Sequence, residues 1–584
     1  MRTSIITLCL ATISALGFAQ NNPQAKDSIK TEVINVVTSY MPTISDAFKI
    51  KKNPRIQLSA NTKRKQVNYK IFSAPVASTF IPKSGVVKGI DLGVKERLYN
   101  NYAALGFGNN NTPFLELFVH KTARFENEYG IYAKYISSEN SIDQTPLNSN
   151  YSDLNVGGFY KEETRYFDWK VGAEFNQETY NWYGLPSTIN FTAATISSIN
   201  EAQTYTDFSM EGALLFEDSF IKNVNAKLSF FSDKYKSKEL RFTANPQFQI
   251  PLNSIARNLN DLTINTTIDY VNGEFAQSYE QETAVEHSFF VLGALPKYNF
   301  ELSDFTFNIG AKMYFTSDLE YKISQLYLYP DVKINYPIMP KHINAYIGAT
   351  GDLTTNTYKA FAAENPYLSP TQYITQTNTK YNLFVGFNGK LSSSMTYNLK
   401  ASFREEDDKA FFTRNNTKSD GSISSGLLGY DYGNSFSYIY DNATTQTLEG
   451  NLAMIVNNHL SIGAHALFNS YSTTNQLEAW NAPQLTAELF ANYKRNSWYA
   501  NANLFFVSER KDIAYEGTFP NATSSIATLP SFMDVNLNGG YHFNDKFTAF
   551  LKINNALNAN YQRFSNFDTQ GFQVLAGMSY KFDF

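Results

Sequence analysis

Six histidines and one run of acids are the residues with most capacity for chemistry. His120, His287, His342, His459, His465 and His542 are scattered along 584 residues. None stands in the H-E-x-x-H spacing that lets two imidazoles on one helix share a zinc ion. His459 and His465 would share one strand face about 20 Å apart by strand rise, too far for one metal. The run "REEDDK" places Glu405, Glu406, Asp407 and Asp408 side by side, at the start of what reads as a long loop. Calcium ligands usually alternate along a tight turn instead, so the run reads as solvated loop charge. There is no G-x-S-x-G elbow and no phosphate-cradling loop. These residues argue against an enzyme and supply neither a metal site nor a cofactor site.

Aromatic residues are the other candidates. Tyr180, Trp182 and Tyr183 in "YNWYGLP", and Tyr367 and Tyr373 in "ENPYLSPTQY", fall in predicted loops. Such rings serve either as stacking surfaces for sugars or a partner, or as hydrophobic staples inside the loops. The sequence does not separate the two. The chain holds 39 Tyr and 47 Phe, yet charged residues make up only 17%. Asn, Ser, Thr and Gln supply the remaining polarity. That mixture suits strands with one apolar face and one uncharged polar face. A net charge of −4 gives no footprint for nucleic acid.

The elements that would position these side chains begin with a leader. "MRTSIITLCLATISALGFAQ" has a basic Arg2, an apolar stretch and small residues, and reads as a secretory signal peptide over residues 1–19. It contains Cys9, the only cysteine, so the processed chain would have no thiol chemistry. Residues 20–86 differ from everything after them. They are polar, then basic from Lys49 to Lys65, then rich in Pro and Ser. The basic residues read as a solvated tail. About 67 residues of this kind suit a short periplasmic or lumenal segment rather than a large domain.

From residue 87 to 584 the chain is a series of segments alternating between apolar and polar. "MDVNLNGGYHF" sorts Met533, Val535, Leu537, Tyr541 and Phe543 from Asp534, Asn536, Asn538 and His542. "QLTAELFANY" and "WYANANLFF" behave in the same way. No useful helical period appears. Tight connections at 457–458, 494–496 and 544–546 alternate with long loops at 181–200, 356–377, 404–432, 509–529 and 558–570. Short turns on one rim and long loops on the other are the pattern of an outer-membrane barrel. In hydrocarbon every backbone polar group must be paired within the protein, which a closed sheet achieves. The expected fold is therefore all-β: a large transmembrane antiparallel barrel of about 22 strands, with turns periplasmic and loops outside. Its lipid-facing strands make outer-membrane lipids a partner, and the location is the outer membrane of a Gram-negative bacterium.

The C-terminal region, "FMDVNLNGGYHFNDKFTAFLKINNALNANYQRFSNFDTQGFQVLAGMSYKFDF", resembles the end of TonB-dependent receptors. "INNALNANY" (Ile553 to Tyr561) stands where that family has an Asn-Leu-Phe-Asn-like motif followed by Tyr. A Gly-led strand from Gly571 then ends on Phe584. The resemblance implies that Tyr580, Phe582 and Phe584 form the insertion signal read by outer-membrane assembly machinery. It also implies that "TEVINVVTSY" holds a segment offered to TonB as an added strand, centred on Glu32, Val33, Ile34, Asn35, Val36 and Val37. Transport of a nutrient across the outer membrane would follow. The family's large folded plug is reduced or missing here, because residues 41–86 lack its Arg-Gly and Asp-Gly signatures. Residues 20–86, inward loops or a partner protein would have to close the lumen. The missing plug suggests an alternative: a structural subunit of an outer-membrane assembly or secretion complex, associated with other outer-membrane or surface lipoprotein subunits.

Overall fold

The computed structural model describes residues 99–122, 127–139, 142, 145–257 and 259–583. The expected signal peptide over residues 1–19, the 20–86 segment, Glu32 to Val37 and Phe584 lie outside the described residues. What is described is a single antiparallel barrel of 22 strands. The first strand, Asn101–Gly108, closes on the last, Gln573–Phe582, with Leu105 opposite Met578 and Gly106 opposite Gly577. Closure leaves no strand edge, so no row of peptide groups is left unpaired toward lipid.

Alternation sets the two faces. Leu105, Ile131, Met210, Leu292, Ile347 and Leu489 point outward and are exposed, as an apolar band facing acyl chains requires. Aromatic pairs mark the short-turn rim. Tyr493 stacks on Trp498 at 4.5 Å, Phe305 on Tyr336 at 4.6 Å and Phe300 on Phe307 at 4.9 Å. In the final strand the even positions face out: Met578 and Tyr580 are exposed, whereas Leu575 is buried on the inner face. The Tyr580 and Phe582 rings lie nearly parallel, 6.1 Å apart.

The strands differ in height. Asn101–Gly108 has 8 residues, while Met395–Arg414 and Phe436–Ile455 have 20 each. A tilted strand needs about 9–11 residues to cross the hydrocarbon, so the longest strands rise well beyond it. This corrects two expectations. The loop expected to begin at 404 begins after Arg414, and "REEDDK" lies within a strand. Three of its four acids are paired. Lys380 bridges Glu405 (3.1 Å) and Asp407 (2.8 Å), and Lys409 reaches Glu406 at 2.5 Å. Asp408 takes a left-handed conformation, φ 51°, at a bulge between Glu406 and Lys409. Charge is tolerated there because the strand has already left the apolar belt. His459 likewise sits in the turn before the strand Leu460–Thr473, not on its face.

Candidate functional site: a closed mouth above a polar lumen

The long loops do not stand away from the barrel. They fold over its mouth and share one hydrophobic core containing Tyr183, Tyr358, Phe412, Phe436, Phe564 and Phe567. These residues come from widely separated parts of the barrel wall. Tyr183 follows the strand Phe167–Asn181, whereas Phe567 belongs to the loop before the final strand. Their rings meet edge to face at 4.9 Å, and the Tyr183 hydroxyl donates to the Asp568 carbonyl at 2.8 Å. Tyr367 stacks on Phe567 at 3.8 Å, and Phe412 and Phe436 flank Phe564 at 5.6 and 5.9 Å. Loops 182–201, 355–376, 415–435 and 555–572 therefore interlock across the opening.

Polar contacts fix the same arrangement. The Asn434 side chain donates to the carbonyls of Trp182 (2.7 Å) and Gly429 (2.9 Å). Gln372 donates to the Ser369 and Phe436 carbonyls and accepts from the Tyr438 amide. A buried amide that makes several hydrogen bonds costs little to bury and specifies one geometry.

Two short helices belong to these loops, α1 (Ala193–Ser198) and α2 (Tyr358–Glu364). Thr357 caps α2, accepting from the Ala360 amide at 3.1 Å. Glu239, on the barrel wall, accepts from the first amides of α2, Tyr358 (2.6 Å) and Lys359 (3.2 Å). A carboxylate suits the unpaired N–H groups at a helix start. Lys359 pairs with Asp207 at 2.6 Å, and the Tyr358 hydroxyl donates to Asp233 at 2.8 Å. The Tyr358 ring is enclosed by Phe231, Phe275 and Tyr205. Burial pushes the Tyr183 and Tyr358 hydroxyls well above the usual tyrosine range, so both remain neutral donors.

A hairpin of Arg510–Glu516 and Thr523–Leu529 braces the edge of this cap. The Arg510 guanidinium donates to the carbonyls of Gln562 (2.6 Å) and Arg563. Asp512 is fully buried and accepts from the amides of Arg414 (3.2 Å) and Ile513 (2.8 Å). Burial drives its carboxyl up to about 6, while these amides and the Arg414 charge pull the other way.

Of the aromatic residues singled out by sequence, Trp182 and Tyr183 are buried in the cap, and Tyr180 and Tyr367 pack against its core; Tyr373 stays exposed. The first four are staples. Sequence reasoning missed Phe436, Phe564, Phe567, Asp512 and Glu239. The dense aromatics of "FSNFD" and the Thr-capped "TYKAFAAE" were the available signals. The histidines are dispersed, and among the described residues no group of three His, Cys, Asp or Glu side chains is placed to hold a metal.

Below the cap the wall is polar and largely self-paired. Asn155 donates to Glu174, Gln247 links Asn223 to Asn265, and Lys312 pairs with Asp352.

Solved structures with this architecture include the ferripyoverdine receptor of the Pseudomonas aeruginosa outer membrane. It has TM-score 0.61 and 12% identity, covering 83% of this chain and 72% of that one. An iron transporter of Neisseria meningitidis has TM-score 0.62 and 11% identity, covering 84% and 82%. A variant of the P. aeruginosa ferric enterobactin receptor has TM-score 0.58 and 10% identity, covering 82% and 81%. The barrel has the fold of the TonB-dependent receptors. Scans of protein-family models and of curated protein sequences give no match. A closed 22-stranded antiparallel barrel with an outward apolar band is the architecture of an outer-membrane protein. Its capped rim then faces the outside and its short turns face the periplasm.

Proposed function

We propose that this chain is an outer-membrane transporter that admits a nutrient through a mouth closed by its own loops. The interlocked cap carries the reading. A 22-stranded barrel is wide enough to leak, and a seal built of inward loops is what a gated conduit needs. The solved structures that share the fold include an iron transporter and receptors for iron–siderophore complexes. In this reading Glu32 to Val37 engage TonB, Tyr580, Phe582 and Phe584 direct insertion, and residues 1–19 are removed on export.

A second reading rests on residues 41–86, which lack the Arg-Gly and Asp-Gly signatures of the family's plug. In it, the protein is a structural subunit of an outer-membrane assembly or secretion complex and associates with lipoproteins. A growth screen separates the two. A deletion strain is grown on single carbon and iron sources and complemented with the full chain or with a chain lacking Thr31 to Thr38. Transport predicts a defect on at least one source that only the full chain restores. Normal growth on every source, with lipoprotein subunits co-purifying from native membranes, would establish the second reading.

A further inference from the structure

The lipid-facing band is broken by a groove on its periplasmic half. Elsewhere the outward positions carry large side chains such as Leu292, Ile309, Met313, Leu326 and Leu383. Across the strands Leu485–Arg495, Trp498–Val507 and Phe532–His542, four adjacent outward positions are small instead. Ala491 stands opposite Ala502, and Ala500 stands opposite Gly539. Tyr493, Leu537, Leu551 and Ile553 rise around them and frame an apolar cleft of about 360 Å³. Small-molecule clefts occupy about 300–1,000 Å³. The fold does not demand the glycine in this floor. A Cβ at Gly539 would meet only the Tyr499 carbonyl oxygen, at 3.4 Å, whereas one at Gly577 would strike the Phe550 ring at 2.3 Å. Gly539 therefore shapes the outer surface and relieves no clash within the wall.

The groove runs down to the short-turn rim and ends at positive charge. Arg495 lies two residues beyond Tyr493 on the same face, roughly 13 Å from Ala491 by strand rise. It is exposed, and among the described residues its guanidinium has no ion pair. The two turns at this end, 494–497 and 543–546, carry Lys494, Arg495 and Lys546 against Asp545 alone. Beside Arg495 the Tyr493 and Trp498 rings stack at 4.5 Å, and Tyr541 is exposed. Such rings mark the level of the lipid headgroups.

We propose that the groove holds one acyl chain of a periplasmic-leaflet phospholipid, with its phosphate on Arg495. A guanidinium presents paired N–H donors that match two phosphate oxygens. A lipid chain touches an ordinary outward side chain on one side only. A chain lying on Ala491, Ala500, Ala502 and Gly539 touches walls as well as floor, and the dispersion contacts accumulate. The small floor crosses three strands, about 10 Å by strand spacing. That width suits one hydrocarbon chain and falls far short of the ~800 Å² per partner that a stable protein interface buries. An apolar groove open to hydrocarbon, with a phosphate-binding cation at headgroup level, selects a diacyl phospholipid over a protein. The inference goes beyond the transport reading and holds for either proposed function.

The test uses the purified full chain in detergent, stripped of lipid and offered dioleoyl-phosphatidylglycerol, dioleoyl-phosphatidylethanolamine or dioleoylglycerol, with bound lipid counted by native mass spectrometry. At least one of the two phospholipids should be retained as a single bound molecule. Dioleoylglycerol, which lacks the phosphate, should bind about tenfold more weakly, the loss expected for one charge-assisted hydrogen bond. Arg495→Gln should weaken phospholipid binding by a similar factor. Ala500→Leu combined with Gly539→Leu should fill the groove and do the same. Ala311→Leu, between the exposed Ile309 and Met313 elsewhere on the band, should change nothing. Each variant is checked for heat-modifiable gel migration. Equal retention of dioleoylglycerol, unchanged retention in either groove variant, or an equal loss in Ala311→Leu would overturn the proposal. So would a photoreactive probe attached through Ala500→Cys that cross-links a second copy or another protein, and not lipid, in native membranes.

Discussion

The cap and one arc of the lumen wall, the strands Leu485–Arg495, Trp498–Val507 and Phe532–His542, use the same kinds of residue in different settings. In the cap, ring packs on ring, and the Asn434 and Gln372 amides each make several hydrogen bonds. In the arc, the Phe490 and Tyr499 rings rest over Gly463 and Gly540, and the buried Asn503 and Asn538 amide oxygens have no hydrogen bond. The difference is one of enclosure. Cap side chains are covered from several sides by loops, whereas lumen side chains rest on a wall and are covered from one side only. A Tyr or an Asn is locked by neighbours from several elements in the first setting and rests against one wall in the second.

The strongest way to break this contrast is to hollow out the cap. Phe436 is fully buried and touches Phe412, Phe564 and Phe567. Phe436→Ala should cost the cap about 3–5 kcal/mol, as for other buried Phe→Ala changes. Hydrogen exchange in 555–572 should accelerate and cells should admit vancomycin, while the barrel remains heat-modifiable. If exchange and permeability do not change, the aromatic core is not the seal.

A smaller effect should appear on changing pH. The folded Asp512 carboxyl lies near 6 and an unfolded one near 3.9. Between those values the docked hairpin holds the proton more tightly than the released one. Docking is therefore strongest below about pH 4 and weakens as pH rises through about 6, by up to about 3 kcal/mol. Exchange in 510–529, corrected for intrinsic rate, should be slower at pH 5 than at pH 7.5. Asp512→Asn should abolish that difference; if the dependence persists in the variant, another group is responsible.

Much of the wall was legible from alternation, because a barrel strand has lipid on one side and polar lumen on the other. Met533, Leu537 and Tyr541 sorted correctly from Asp534, Asn536 and Asn538 for that reason. The signal failed where the solvent changed. At "REEDDK" the strand continues above the membrane, so it keeps its backbone ladder without an apolar face and reads as a loop. The cap was still less visible. Its core joins Tyr183 to Phe567 across 384 positions of chain, and no local pattern encodes such a contact. The arc was half visible: "WYANANLFF" showed the alternating Asn residues, but their lack of partners depends on what neighbouring strands place beside them.

The most discriminating comparison matches the same small change in both regions. A Cβ at Gly184 would fall 2.5–2.8 Å from the Phe567 ring in the cap, and one at Gly463 would fall 2.2–2.9 Å from the Phe490 ring in the lumen. The collisions are similar, but the escape routes are not. Phe567 is held by Tyr183, Tyr367 and Phe436 and has nowhere to go. Phe490 has the lumen in front of it and can lift away. Gly184→Ala should therefore cost about 3 kcal/mol, the upper range for overpacking, and Gly463→Ala about 1 kcal/mol. Local exchange around 564–568 and around 488–492 would measure the two costs in the same preparation. Equal costs would mean that the lumen ring is as enclosed as the cap ring.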